Sequence, residues 1–222
     1  MRKILHLNEL LNFYDYRVDS SLGHASAINA VLGKDLGLAL LVHYLKSLGL
    51  EVAVLNGLCS QGNQGALRLD KWIVVKSSTE SIIFQVGIKI LSSHAIGGRR
   101  VEVGRDDEYM RQFRLERWHH HFNGDEQVPS GRTTRVVLEE MQVPIAYRDY
   151  KHEALLCFWE PLHPLGELEA FFEVDVRGEV FKKLKIFSMS NYISQLLKIT
   201  EILEIEMADA YARIDWLKKI YN

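Results

Sequence analysis

Residues 66–91, Ala-Leu-Arg-Leu-Asp-Lys-Trp-Ile-Val-Val-Lys-Ser-Ser-Thr-Glu-Ser-Ile-Ile-Phe-Gln-Val-Gly-Ile-Lys-Ile-Leu, constrain this chain more than any other stretch. Two runs rich in β-branched and aromatic residues flank the polar stretch Lys76-Ser77-Ser78-Thr79-Glu80, the pattern of two strands joined by a turn. Side chains on a strand alternate faces, so Gln85, Gly87 and Lys89 share one face. Val86, Ile88 and Ile90 share the other, which is expected to pack into the core. Asp70 opens the first strand. An acid on one strand beside an acid-x-Lys on its neighbour is one way to build a metal-dependent phosphodiesterase centre. Gly87 stands where the second acid would be.

Phosphodiester hydrolysis by metal ions needs carboxylates to hold one or two divalent cations, which activate water and stabilise the leaving oxygen. A nearby lysine orients the water or neutralises charge developing in the transition state. The strand period of two puts the second acid and the lysine on one face.

With Asp70 as first acid, Gly87 in place of the usual Glu or Asp, and Lys89 as the lysine, residues 30–95 resemble the core of the PD-(D/E)xK nuclease superfamily. The resemblance implies a restriction-endonuclease-like α/β fold, a mixed central sheet flanked by helices. It implies catalytic roles for Asp70, position 87 and Lys89, and Asp70 as a metal ligand. A helix before the sheet often adds an acid in that family, and Asp35 in Gly33-Lys34-Asp35-Leu36-Gly37 is suitably placed for a second ligand. Gln85 resembles the polar residue sometimes found beside the motif. The implied cofactor is Mg²⁺ or Mn²⁺, since all the ligands are oxygen, and the implied substrate is DNA, with RNA left open. The overall style suggests bacterial anti-phage defence.

Gly87 divides the reading in two. One is a metal-dependent deoxyribonuclease subunit with its cutting weakened or lost, by nature or by substitution. The other is a non-catalytic subunit that keeps the fold to bind nucleic acid or a partner protein. A glutamate at 87 is expected to suit the strand better than glycine, so that folding would not suffer much. The plainest alternative makes Asp70 and Lys89 solvent-side residues of an ordinary hairpin.

Along the chain, residues 7–19 predict a short helix. From Gly33 to Leu48 the apolar residues recur at helical spacing, with Gly49 as the stop. Glu51–Leu55 reads as a strand, and the glycine-rich stretch 56–65 as a loop. Residues 106–122 read as an amphipathic helix, Arg135–Met141 as short helix or strand, and Ala154–Trp159, Ala170–Val176 and Leu184–Ser188 as strands. The tail from Tyr192 to Tyr221 is helical in pattern but broken near Glu204–Met207. The simplest division is an α/β domain over 1–190 and a helical extension over 191–222. The long apolar stripe of that tail predicts packing on its own domain, a homodimer or a complex with another protein.

Arg99 and Arg100, directly after Gly97-Gly98, are the pair best placed to grip a phosphate backbone. The arginines of 97–118 are nearly balanced by acids, however, and a solvated helix is the plainer reading. His119, His120 and His121 are consecutive and diverge by about 100° on a helix, so they cannot converge on one ion unaided. His24, His43 and His94 stand alone in the sequence and read as structural or as outer partners of the Asp70 site.

The 222 residues carry a net charge of −2, so no global basic signature marks a nucleic-acid binder; positive charge would have to be local. Cys59 and Cys157 lack metal-type spacing and fit reduced thiols. The stretch Leu36–Leu48, interrupted by His43, Tyr44 and Lys46, is too short to span a bilayer. A cytoplasmic protein without a membrane segment is expected.

Overall fold

The computed structural model describes residues 2–15, 33–55, 71–89, 137–138, 141–159, 169–176, 180–207 and 219. In chain order its elements are strand β1 (Arg2–His6), helix α1 (Leu7–Asp15), helix α2 (Lys34–Ser47) and strands β2 (Glu51–Leu55), β3 (Lys71–Lys76) and β4 (Ser81–Lys89). A 3-10 turn (Ile145–Tyr147), strands β5 (Lys151–Phe158), β6 (Phe171–Asp175) and β7 (Lys183–Ser188), helix α3 (Met189–Leu196) and strand β8 (Ile202–Glu206) follow.

The expected hairpin forms. β3 and β4 pair antiparallel from Lys71↔Val86 to Lys76↔Ser81. Ser77 holds the turn: its Oγ accepts the N–H groups of Thr79 and Glu80 at 3.2 and 3.0 Å. β2 adds antiparallel to β3, and β5 adds parallel to β4. β7 continues parallel to β5, and β6 closes the sheet antiparallel to β7. The result is one mixed six-stranded sheet, ordered β2-β3-β4-β5-β7-β6. This is a mixed α/β architecture.

Both faces of the sheet are covered. On one, α2 lays Leu36, Leu40 and Leu41 over Ile73, Val86, Ile88 and Leu155. Gly37 permits the approach, because a Cβ there would meet Ile88 Cγ2 at 2.7 Å. On the other face Trp72, Ile83, Leu156, Phe158 and Ile186 pack together, with Val137 against them. A strand covered on both sides must be apolar at every position, which is why β5 runs Ala154-Leu-Leu-Cys-Phe158 without alternation.

Helix α2 ends as its sequence predicts. Gly49 takes φ +78°, Gly49 N–H donates to Lys46 O at 2.9 Å, and Leu50 N–H reaches Leu45 O at 3.4 Å. That is a Schellman closure, which needs a left-handed residue at this point.

The tail departs from expectation. Residues 202–206 are not helical; they form β8, paired antiparallel with β1 in a separate two-stranded ribbon. Leu203 and Ile205 face inward and Glu204 and Glu206 outward, a period of two. Packing continues past residue 190. α3 buries Met189, Tyr192 and Ile193 in the main core, and Ser190 N–H donates to Trp159 O at 2.8 Å. Of the segment 135–141, residues 137–138 are helical. The expected helix over 106–122, with its histidine run, lies outside the described residues.

Candidate functional site

The motif residues fall in two separate places. Gln85 and Gly87 sit on β4 with their side-chain direction toward the Trp72–Leu156 face. Asp35 lies in the first turn of α2, which covers the opposite face. The expectation that Asp35 serves as a metal ligand beside position 87 is therefore corrected: the sheet lies between them, because α2 packs on the Val86–Ile88 side. Lys89 is the last residue of β4, in register with Phe158, and its side chain is outside the description. Asp70, Arg99 and Arg100 lie outside the described residues.

The Gln85–Gly87 face is packed. Gly87 is paired with Leu156 across the parallel β4–β5 register. A Cβ at 87 would lie 2.8 Å from Leu156 Cδ2 and 3.7 Å from Val137 Cβ and Cγ2. Real Cβ atoms do not approach that closely, so Leu156 uses the space that glycine leaves. The expectation that glutamate would suit this strand is corrected for the same reason: the face at 87 is core.

Gln85 is fully buried yet satisfied. Its Nε2 donates to Val137 O, so its Oε1 faces the His152 ring, whose Nε2 lies 2.9 Å away and must be the donor. His152 therefore carries a proton on Nε2. Its ring lies against Trp72, centroids 5.4 Å apart, and edge-on to Phe181 at 5.1 Å. The network clamps residue 137 over the sheet, and His152 and Val137 were not singled out from the sequence. Gln85 pairs with Ala154, and this parallel register is set by strands far apart in the chain.

Asp35 instead lines a cleft of about 480 Å³ between α2, the edge strand β2 and the β1–β8 ribbon. Half-buried Leu38, Val42, Val52 and Val54 contribute its apolar surface, and Arg2, Asp35, His43, Lys46, Glu204 and Glu206 its charged and polar rim. On the wall, His43 Nδ1 lies 2.6 Å from the Tyr192 hydroxyl. Burial pushes the His43 imidazole below its ordinary value. Burial chiefly, with Tyr44 nearby, raises the Tyr192 phenol, against the lowering effect of a hydrogen bond with Ser47. The His43 tautomer sets which of the two groups donates. A sequence that shows His43 at helical spacing among apolar residues carries no sign of a partner 149 residues away.

Among the described residues, no three His, Cys, Asp or Glu side chains are grouped so as to hold a metal ion. The expected Mg²⁺ or Mn²⁺ set is not assembled from Asp35 and position 87, and its remaining member, Asp70, lies outside the description. No helix among the described residues is long and apolar enough to cross a membrane. No family model, curated protein or solved structure matches the chain.

Proposed function

We propose that this chain is a non-catalytic relative of the PD-(D/E)xK nucleases, a subunit that keeps a restriction-endonuclease-like sheet to bind a partner protein or nucleic acid and does not cut. The packing at Gly87 carries this reading. A carboxylate at that position would have to enter the space of Leu156 and Val137, where an unpaired charge is strongly disfavoured. Glycine at 87 is thus built into the core and is not a gap in an otherwise open active site. The resemblance is supported by chain order: helix α2, strand β2 and the β3–β4 hairpin follow one another as the motif requires, inside a mixed sheet.

The companion reading, Mg²⁺- or Mn²⁺-dependent cleavage of DNA through Asp70 and Lys89 in anti-phage defence, makes the opposite prediction. Wild type and Gly87→Glu are incubated with linear and supercoiled DNA and with RNA, with either metal, while circular dichroism follows the fold. The binding-subunit reading expects no cleavage by either protein and a less stable Gly87→Glu. Metal-dependent cleavage by wild type, or by a folded Gly87→Glu protein, that disappears on Lys89→Ala would overturn it.

A further inference from the structure

Helix α2 turns a second face away from the sheet. While Leu36, Leu40 and Leu41 pack on the strands, Asp35, Leu38, Ala39, Val42, His43 and Lys46 recur at helical spacing and line the cleft of about 480 Å³. A space of that size suits a small organic ligand. The lining is charged at its two ends and apolar between them. Asp35, 6% exposed, stands in the first turn of the helix and Lys46, exposed, in the last. Those positions suit the helix dipole, and Leu38, Val42, Val52 and Val54 form an apolar trough between the two charges. Asp35 and Lys46 are about 16 Å apart along the helix axis. The longer lysine side chain leans back toward the N-terminal end, which leaves the charges roughly 12 Å apart. His43, lowered in its titration by burial, adds no charge at neutral pH.

The facing wall is the edge of a strand. Glu204, Ile205, Glu206 and Met207 all line the cleft, as consecutive residues do when a strand turns its edge toward a space. In the two-stranded ribbon β1 occupies the other edge of β8. Arg2 stands across from Glu206 in that register and 3.8 Å from Glu204, so the ribbon carries its acids beside a cation.

We propose that this cleft binds a short apolar peptide with both ends free. Three or four extended residues span roughly 10–13 Å, which matches the separation of the two charges on α2. The peptide ammonium meets Asp35 and its carboxylate meets Lys46. Its side chains pack on Leu38 and the valines, and its backbone pairs with the edge of β8 by strand addition. A carboxylate offers about four lone-pair sites, so Asp35 takes an ammonium alongside its contacts within the protein. This inference goes beyond the binding-subunit reading and does not depend on the nuclease resemblance.

Isothermal titration calorimetry of the full chain with trivaline tests it. A dissociation constant on the order of 100 µM is expected. The N-acetylated and the C-amidated peptides should each bind at least about tenfold more weakly, because each loses one charge-assisted contact. Lys46→Glu, at an exposed position, should weaken trivaline to a similar degree and prefer the C-amide to the free acid, reversing the wild-type order. Val42→Trp should fill the trough and abolish binding, with the melting temperature of both variants reporting the fold. No saturable binding of trivaline up to about 5 mM, an amide that binds wild type as tightly as the free acid, or an order of preference unchanged in Lys46→Glu overturns the proposal. So does hexylamine binding as tightly as trivaline, which would mark a plain amine site.

Discussion

Leu156 Cδ2 lies 2.8 Å from the point a Cβ on Gly87 would occupy, directly across the parallel β4–β5 register. The leucine, fully buried, leans over the glycine and fills the place of the missing side chain. Gly87→Ala gains some backbone entropy in the strand, about 0.5–1 kcal/mol, but overpacks a closed core at about 1–3 kcal/mol. A net loss of about 1–2 kcal/mol in urea denaturation is expected. Leu156→Ala, destabilising by itself, should make Gly87→Ala cost less in its background. Independent, additive losses would refute the contact.

Gln85 joins Val137 O to His152 inside the core. Gln85→Leu keeps the volume but strands a buried carbonyl and an imidazole N–H, at about 1–3 kcal/mol. Because the three groups form one network, Gln85→Leu and His152→Phe together should cost less than the sum of the two singles, with a coupling of about 0.5–3 kcal/mol. Chemical denaturation of the four proteins measures it.

His43 titrates below its ordinary value in the folded state because burial disfavours the charged ring. The unfolded chain therefore binds the proton more readily. The stability this group contributes is full above pH 6.5 and is lost as the pH falls from there through the lowered folded value. The melting temperature of wild type should drop between about pH 7 and pH 5, and His43→Gln should flatten that part of the profile. An unchanged slope in the variant would count against the burial of this ring.

Gly49 closes α2 at φ +78° with open space where a side chain would stand. Gly49→Ala meets no atom, so its cost is the left-handed backbone alone, about 1 kcal/mol. Gly49→Asn should recover part of it, since asparagine tolerates that region. Thermal melts of the pair distinguish backbone strain from packing, which would penalise asparagine more.

Local features were legible before any coordinates. The β3–β4 hairpin, the polar turn at Ser77, strand β2 and the glycine stop of α2 each follow from signals within a few residues, such as β-branched runs, turn formers and helical spacing. The site was legible only as a list. Alternation along β4 places Gln85 and Gly87 on one face, but it carries no information about what lies over that face.

What tertiary structure alone decided comes from residues distant in the chain. Parallel pairing brings Leu156 beside Gly87 and His152 within reach of Gln85, across more than sixty residues. The same long-range packing puts Asp35 on the far side of the sheet, facing β8 instead of position 87. Ile202–Glu206 becomes a strand because β1, some two hundred residues earlier, supplies its hydrogen bonds. The amino-acid sequence determined which side chains share a face, because strand and helix periods are local backbone geometry. The fold determined which faces meet, because burial is settled by whichever distant elements cover them.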